Sequence, residues 1–383
     1  MTASFTTHEP TPRPACEVSD DQALALLTAA VDTPSVSGHE RPVAELLRRR
    51  AKELGLAATL DETGSFVAAT SGDPLRTDPR TADIVLLGHI DTVPGHIPVR
   101  REGDRLYGRG SVDAKGPLAA FLVAAATTPL PEGVRIVVVG AVEEEIATSR
   151  GARAAATRYR PAACIIGEPS GWDAITIAYK GRLLTTCRLA RPLSHTAGPA
   201  SSVADEAHAW WTRVLAGIAA LNLGREGAFS TVQATLRSIQ TGSDGLREHA
   251  EVRAGFRLPP DVPPEEVRGL VASCAGSATL DFSGAEVAHV ADRSNAVVRA
   301  LSGSLRAAGI TPRHLKKTGT SDMNVVGPIW GCPIAAYGAG DSSLDHTPEE
   351  HTLIPEFLRS IGILRGALER LAREIATGTP GVR

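Results

Sequence analysis

The sequence has no surplus of positive charge: 40 lysines and arginines stand against 43 aspartates and glutamates, a formal net charge of -3 over 383 residues. Binding to a phosphate backbone draws on a basic excess, so no nucleic acid is expected as a partner. It also lacks any Cys-x-x-Cys pair. The five cysteines, Cys16, Cys164, Cys187, Cys274 and Cys332, are scattered, which sets aside a zinc knuckle or a disulfide framework and suits a reducing, cytoplasmic setting. The opening residues are rich in Thr, Pro and acid and hold no apolar core of a signal peptide, so 1–19 reads as a flexible tail. No uncharged apolar run reaches the length of a membrane span, the nearest being 117–128, and no membrane association is expected. There is no internal repeat and no low-complexity tract.

What is present is the composition of a soluble globular chain, 43% hydrophobic and 22% charged, long enough for two domains or for one domain carrying an insertion. Helical spacing of apolar residues predicts helices over 20–31 and 40–54, separated by turn-forming residues. Short continuous apolar runs at 84–87, 135–139, 162–166 and 333–337 predict strands covered on both faces, as in a mainly parallel sheet flanked by helices. A helical pattern over 117–127 lies between the first two. From 178 to 290 the texture changes to strand 175–189, helix 201–222, strands 230–240 and 247–258, helix 263–273 and strand 279–290. That is a β-α-β-β-α-β order of the ferredoxin-like kind, complete enough to be an inserted α+β domain. The catalytic domain would then comprise 20–177 and 291–383, closing on an amphipathic helix over 354–375.

Ligands of open α/β sheets bind outside the carboxyl ends of the strands. Here those ends lead to His89 and Asp91, to Glu143-Glu144-Glu145, to Glu168 and to His346, while Asp113 sits in the glycine-rich loop 108–116 ahead of a helix. Singly, Asp113 could cap that helix, the glutamates could face a helix N-terminus, and each histidine could be structural. Jointly, two imidazoles and several carboxylates on one edge would repel without cations, and the set predicts a metal centre. Imidazole with carboxylate suits zinc, cobalt or manganese, and five ligands exceed what one tetrahedral catalytic zinc takes, so two ions are expected. Asp91 is placed by strand alternation to accept the His89 N–H. Three successive glutamates cannot all ligate, which leaves one as a base.

At these residues the chain resembles the M20 family of co-catalytic metallohydrolases, which includes acetylornithine deacetylase, succinyl-diaminopimelate desuccinylase and carboxypeptidase G. The matching blocks are TPSVSGHE (33–40), GHIDTVPG (88–95), YGRGSVDAKGP (107–117), VEEE (142–145), GEPS (167–170) and DHTPEE (345–350). The resemblance implies that His89 and Glu168 hold one metal, Glu144 and His346 the other, that Asp113 bridges them and that Glu143 is the general base. It further implies that His195, in PLSHTAG, hydrogen-bonds the oxyanion of the neighbouring subunit in a homodimer, and that Arg257 grips a substrate carboxylate. Trp210 and Trp211 are candidate dimer contacts, with burial of at least one of them inside the inserted domain as the alternative.

The wording GRGSVDAKGPLAA, VEEEIATSRGAR and KKTGTSDMNVVG is most similar to the lysine-biosynthesis branch, which releases lysine or ornithine from the terminal glutamate of a small acidic amino-group carrier protein. Gly319, Thr320 and Ser321 are the implied substrate-binding positions of the loop 316–322, for which a glycine turn with a hydroxyl cap is the alternative. Arg182, Arg188, Arg191, Arg313, Lys316 and Lys317 are candidates for a basic rim that meets the carrier, with an ordinary solvated surface as the alternative. Rival readings are an acetylornithine- or succinyl-type deacylase, a nucleotide-binding α/β protein, which the absence of GxxxxGK[ST] disfavours, and a non-catalytic metal- or peptide-binding protein.

Overall fold

The computed structural model of the chain describes residues 16–195 and 201–378. It divides into two compact units, one of residues 1–177, 291–315 and 325–383 and the other of 178–290 and 316–324. Most of the expected tail, 1–15, and residues 196–200 of the PLSHTAG segment lie outside the described residues.

Strands of the first unit form where the apolar runs are unbroken. Ala82–His89, Val134–Ala141, Ala163–Ile166 and Ile334–Ala336 are buried along almost their whole length. Their Val and Ile side chains suit a pleated surface covered on both faces. Val134–Ala141, Ala82–His89, Ala163–Ile166 and Ile334–Ala336 lie side by side in that order and pair in parallel. Phe66–Ala69 and Ala57–Leu60 extend one side antiparallel, and Ala174–Tyr179 joins the other through Ala336 and Thr176. The register decides what the sheet can do. His89 lies opposite Ala141, and Leu87 and Ala336 both lie opposite Ile166, so four carboxyl ends emerge along one edge.

The covering helices follow from equally local causes. Asp20–Asp32 begins at a capping box, Ser19 Oγ accepting the Gln22 amide at 3.2 Å while Gln22 Oε1 accepts the Ser19 amide at 2.9 Å. Lys115–Thr127 is buried on every side, as expected of a helix apolar all round. It starts two residues before the predicted 117, because proline is tolerated in a first turn. Ile354–Ala376 closes the unit. No helix among the described residues is long and apolar enough to cross a membrane.

Two features of this unit escape the sequence. Arg150–Arg158 is a short helix entered from a left-handed Ser149 with no side-chain cap. Arg100–Glu102 and Arg105–Tyr107 form a hairpin that His351–Leu353 extends into a three-stranded antiparallel sheet. Three-residue strands rich in exposed arginine carry neither period that a sequence reader can use.

In the second unit the order is Gly181–Pro192, Val203–Leu221, Gln233–Ser243, Arg247–Leu258, Pro264–Ser273 and Thr279–Glu286, again β-α-β-β-α-β. The four strands form an antiparallel sheet with Gln233–Ser243 and Thr279–Glu286 at its edges. Both helices pack Val203, Ala207, Trp210, Val214, Ile218, Val267 and Val271 against Leu183, Cys187, Val252 and Phe256. Trp210, a candidate dimer contact by sequence, is instead part of this core at 1% exposure, with Trp211 half-buried beside it. Its indole Nε1 finds no acceptor among the described residues, a cost of about 1–3 kcal/mol that the ring's burial, worth about 3–5 kcal/mol, outweighs.

The single strand expected over 175–189 is broken at Lys180. This lysine is fully buried, its ammonium donating to the carbonyls of Ala228 (2.8 Å) and Thr231 and to Gln233 Oε1 (3.2 Å). Burial pulls its pKa down to about 8. Its own carbonyl accepts from Thr320 Oγ1 at 2.9 Å and Asn324 Nδ2 at 3.2 Å. Those bonds explain why 316–324, assigned by sequence to the closing segment of the first domain, belongs to the second unit.

Candidate metal centre

The edge built by the parallel strands brings together five of the side chains singled out by sequence. His89 ends its strand with its ring 1% exposed. Its Nδ1 lies 3.0 Å from the carbonyl oxygen of Asp91, which can only accept, so Nδ1 carries a hydrogen and Nε2 is the nitrogen turned to the carboxylates, a lone pair in the neutral ring and a second donor in the imidazolium. That Nε2 faces Asp113 Oδ1 at 3.1 Å and Glu168 Oε1 at 4.0 Å. The other oxygen of Asp113, Oδ2, lies 3.0 Å from Nε2 of His346, which is itself 3.1 Å from Glu145 Oε2. Asp113 thus stands between two imidazoles, one on each oxygen. It does not cap the helix that follows, which has no side-chain cap bond.

At 3.1 Å the His89 nitrogen and the carboxylate oxygen need positive charge between them, a proton on the ring or a bound cation in its place. Two ligand atoms sharing a tetrahedral zinc through bonds of ~2.0–2.2 Å stand roughly 3.3 Å apart, close to the spacings found here. His89, Asp113 and Glu145 present ligand atoms all within 4.8 Å of one another. The electrostatics agree. His346 is pushed up to about 10 by its hydrogen bonds to Asp113 and Glu145. Burial alone would lower the His89 pKa, yet the bonds to Asp113 and Asp91 hold it well above its ordinary value. Burial would raise Asp113, and the two imidazoles instead hold it well below the usual carboxylate range. The site therefore demands positive charge, and its imidazole and carboxylate donors fit a divalent cation of the zinc, cobalt or manganese kind.

The glutamate run departs from the sequence-based expectation by one residue. Glu143 has a left-handed backbone, φ 60°, and its carboxylate points to Thr148 Oγ1 at 2.6 Å and Arg150 Nη2 at 2.8 Å. Glu145, given no role by sequence, places its carboxylate in the cluster at His346. Glu144 lies between them and bears on His89, whose imidazolium its charge favours. The structure thus moves Glu143 out of the position expected of a base and puts Glu145 where Glu144 was expected as a ligand. Three successive amides hold this turn: Glu143 N–H donates to Glu40 Oε1 (3.2 Å), and Glu144 and Glu145 N–H donate to Asp91 Oδ1 (3.0 Å) and Oδ2 (3.1 Å). Asp91 also accepts from Ser37 Oγ at 2.7 Å. Its carboxylate approaches His89 Nδ1 only to 3.5 Å, so it orients the glutamate turn more directly than the imidazole.

The remaining candidates belong to the second unit. Arg257 donates from Nη1 to Thr320 Oγ1 at 2.7 Å, and Thr320 in turn donates to the Lys180 carbonyl. Ser321 Oγ accepts the Met323 amide at 3.2 Å, and a Cβ built on Gly319 would meet nothing within 4 Å. His195 is exposed just beyond Gly181–Pro192. Sequence reasoning passed over Lys180, Glu40 and Glu350 as functional positions. The last two stand in blocks already noted, and acids buried to 4% and 1% are their signal, one that only three dimensions reveal.

A cluster of imidazoles and carboxylates at the carboxyl edge of a mostly parallel sheet defines a metal-binding α/β protein. Residues 85–370 match the model of Peptidase family M20/M25/M40, and the chain belongs to that family. It is 44% identical over 358 residues, 91% of this chain and 97% of the other, to [LysW]-lysine hydrolase of Deinococcus radiodurans. It is 35% identical over 369 residues, 96% of this chain and 97% of the other, to putative [LysW]-lysine/[LysW]-ornithine hydrolase of Thermococcus kodakarensis. Its fold is similar to that of an M20 family metallo-carboxypeptidase, Sso-CP2 of Sulfolobus solfataricus, with a TM-score of 0.75 at 20% identity, covering 92% of this chain and 100% of that one.

Proposed function

We propose that the chain is a two-metal amide hydrolase of the cytoplasm that releases lysine or ornithine from the terminal glutamate of a carrier protein. The observation that carries the reading is Asp113, with one oxygen at His89 and the other at His346. One cation would be held by His89, Glu168 and Asp113, the other by His346, Glu145 and Asp113. Divalent ions there would supply Lewis-acid polarisation of the scissile carbonyl and activation of water. Glu144 takes a proton from the attacking water and delivers it to the departing amine. Arg257 offers parallel hydrogen bonds to a free carboxylate of the conjugate, beside Gly319, Thr320 and Ser321. The likeness to the [LysW]-lysine hydrolase of Deinococcus radiodurans supports the carrier-linked substrate, and five free cysteines suit a reducing compartment.

Three of the six residues of the basic rim expected for docking are engaged by acids. Arg188 pairs with Glu251 and Asp281, Arg191 with Glu206 and Glu248, and Arg313 with Asp173. Preference for the carrier conjugate should therefore rest on contacts near the reacting amide more than on long-range steering. The expected result is that kcat/KM for the lysine conjugate exceeds that for N-acetyl-lysine or N-acetylornithine at least tenfold, about 1.4 kcal/mol. The preference should survive 1 M salt, where the screening length is ~3 Å. Faster hydrolysis of an acetylated amino acid at matched concentration would assign the chain to the deacetylase branch.

The reading includes a homodimer in which His195 serves the partner's site. The edge strand Gln233–Ser243, with Leu236 and Ile239 exposed, is supporting evidence, since an unpaired edge with apolar side chains invites pairing. Mixing inactive Glu144→Gln subunits with inactive His195→Ala subunits should restore activity through heterodimers carrying one complete site. Absence of recovery after demonstrated subunit exchange removes the shared-site arrangement.

A further inference from the structure

Glu350 is 1% exposed and belongs to none of the roles assigned above. It leads into His351–Leu353, the strand that pairs with Arg105–Tyr107, and its carbonyl accepts the Gly108 amide at 3.3 Å. That pairing sets its side chain inside the loop that carries Asp113. Oε1 accepts three amides, from Gly110 at 2.9 Å, Val112 at 3.1 Å and Asp113 at 3.2 Å. Oε2 accepts from Arg109 Nη1 at 2.7 Å, and the same nitrogen also donates to the Thr347 carbonyl at 3.3 Å. Gly110 itself has no room for a side chain, since its φ is +86° and a Cβ there would lie 2.9 Å from Thr92 and 3.0 Å from Lys115.

We infer that Glu350 is a positioning residue for the metal centre: by gathering the amides of Gly110, Val112 and Asp113 on one oxygen, it fixes where both oxygens of Asp113 stand. Three N–H groups converge on one oxygen, a concentrated positive end that a carboxylate oxygen suits, and the Arg109 guanidinium on the second oxygen orients the carboxyl group. A neutral amide in its place would turn an N–H₂ toward either the guanidinium or the backbone amides. Groups that orient metal ligands typically change affinity or activity 10–100-fold when removed, which is the size of effect expected here. A purely cohesive role predicts lowered stability and unchanged metal affinity in protein that remains folded.

This inference rests on the reading of Asp113 as a metal ligand, so the experiment separates the two. Metal-free parent, Glu350→Gln, Arg109→Gln and Asp113→Asn proteins, each shown to be folded by circular dichroism, are titrated with Co(II) while stoichiometry, dissociation constant and visible absorption are recorded. Asp113→Asn should lose Co(II) binding; parent-like binding there would overturn the reading of the centre itself. With that control lost, Glu350→Gln should bind Co(II) roughly 10–100-fold more weakly with an altered visible band. Arg109→Gln keeps the carboxylate over the amides and should shift affinity in the same direction by less. It also carries the test if Glu350→Gln does not accumulate folded. Parent-like affinity and spectrum in folded Glu350→Gln, or in Arg109→Gln where that is the only folded variant, overturn the proposal.

Discussion

Glu144→Gln protein is expected to hold as much divalent metal as the parent chain while its kcat falls by roughly 10²–10⁴-fold, the range that a positioned general base supplies. Glu143→Gln is expected to retain both metal and turnover to within about fivefold. Its carboxylate is engaged by Thr148 and by Arg150, which is 49% exposed, and pairs of that kind are worth ~0–1 kcal/mol. The pair of variants discriminates between two registers of the same motif. Activity surviving in Glu144→Gln and abolished in Glu143→Gln would restore the assignment made from sequence. Metal analysis alongside the kinetics separates loss of a base from loss of a ligand.

The second large effect is expected at the ligands. Glu145→Ala should lose at least one equivalent of metal, and activity should fall roughly 10³-fold or more, because polarisation by a metal ion is worth several kcal/mol of transition-state stabilisation. The structural reason is direct: Glu145 Oε2 lies 3.1 Å from His346 Nε2, which faces Asp113 Oδ2 at 3.0 Å. Supplementing Glu145→Ala protein with excess zinc or cobalt should recover part of the activity, whereas Glu144→Gln should gain nothing from added metal. Full metal content in purified, folded Glu145→Ala protein would argue against its place among the ligands.

Much of the architecture was legible in the chain. The unbroken apolar runs around Val85, Val137, Ile165 and Ala335 predicted parallel strands, and the structure pairs all four in parallel. That His89, Asp113, Glu168 and His346 would lie near one another was legible because each follows a buried strand or precedes a buried helix. The glutamate register was not. Three identical residues in succession carry no information about which one points inward, and the answer depends on a left-handed backbone at Glu143, which non-glycine residues seldom adopt. Lys180 and the loop 316–324 were misplaced for a related reason: a buried ammonium with carbonyl partners is a tertiary arrangement with no periodic signature.

His346 and Glu350 reach Asp113 from far along the chain, Glu350 from 237 residues away. At a synthesis rate of ~5–20 residues per second, that separation lasts about 10–50 s. Within that interval residues 178–290 are complete and can assemble their own core, while the edge bearing His89, Asp113, Glu145 and Glu168 still lacks the partners that balance and shape it. A nascent chain presents only part of the ligand set, and the Asp113 loop has nothing to gather its amides. A chain that ends before residue 346 would lack His346 and Glu350, and with them the side chains that face both Asp113 and its loop.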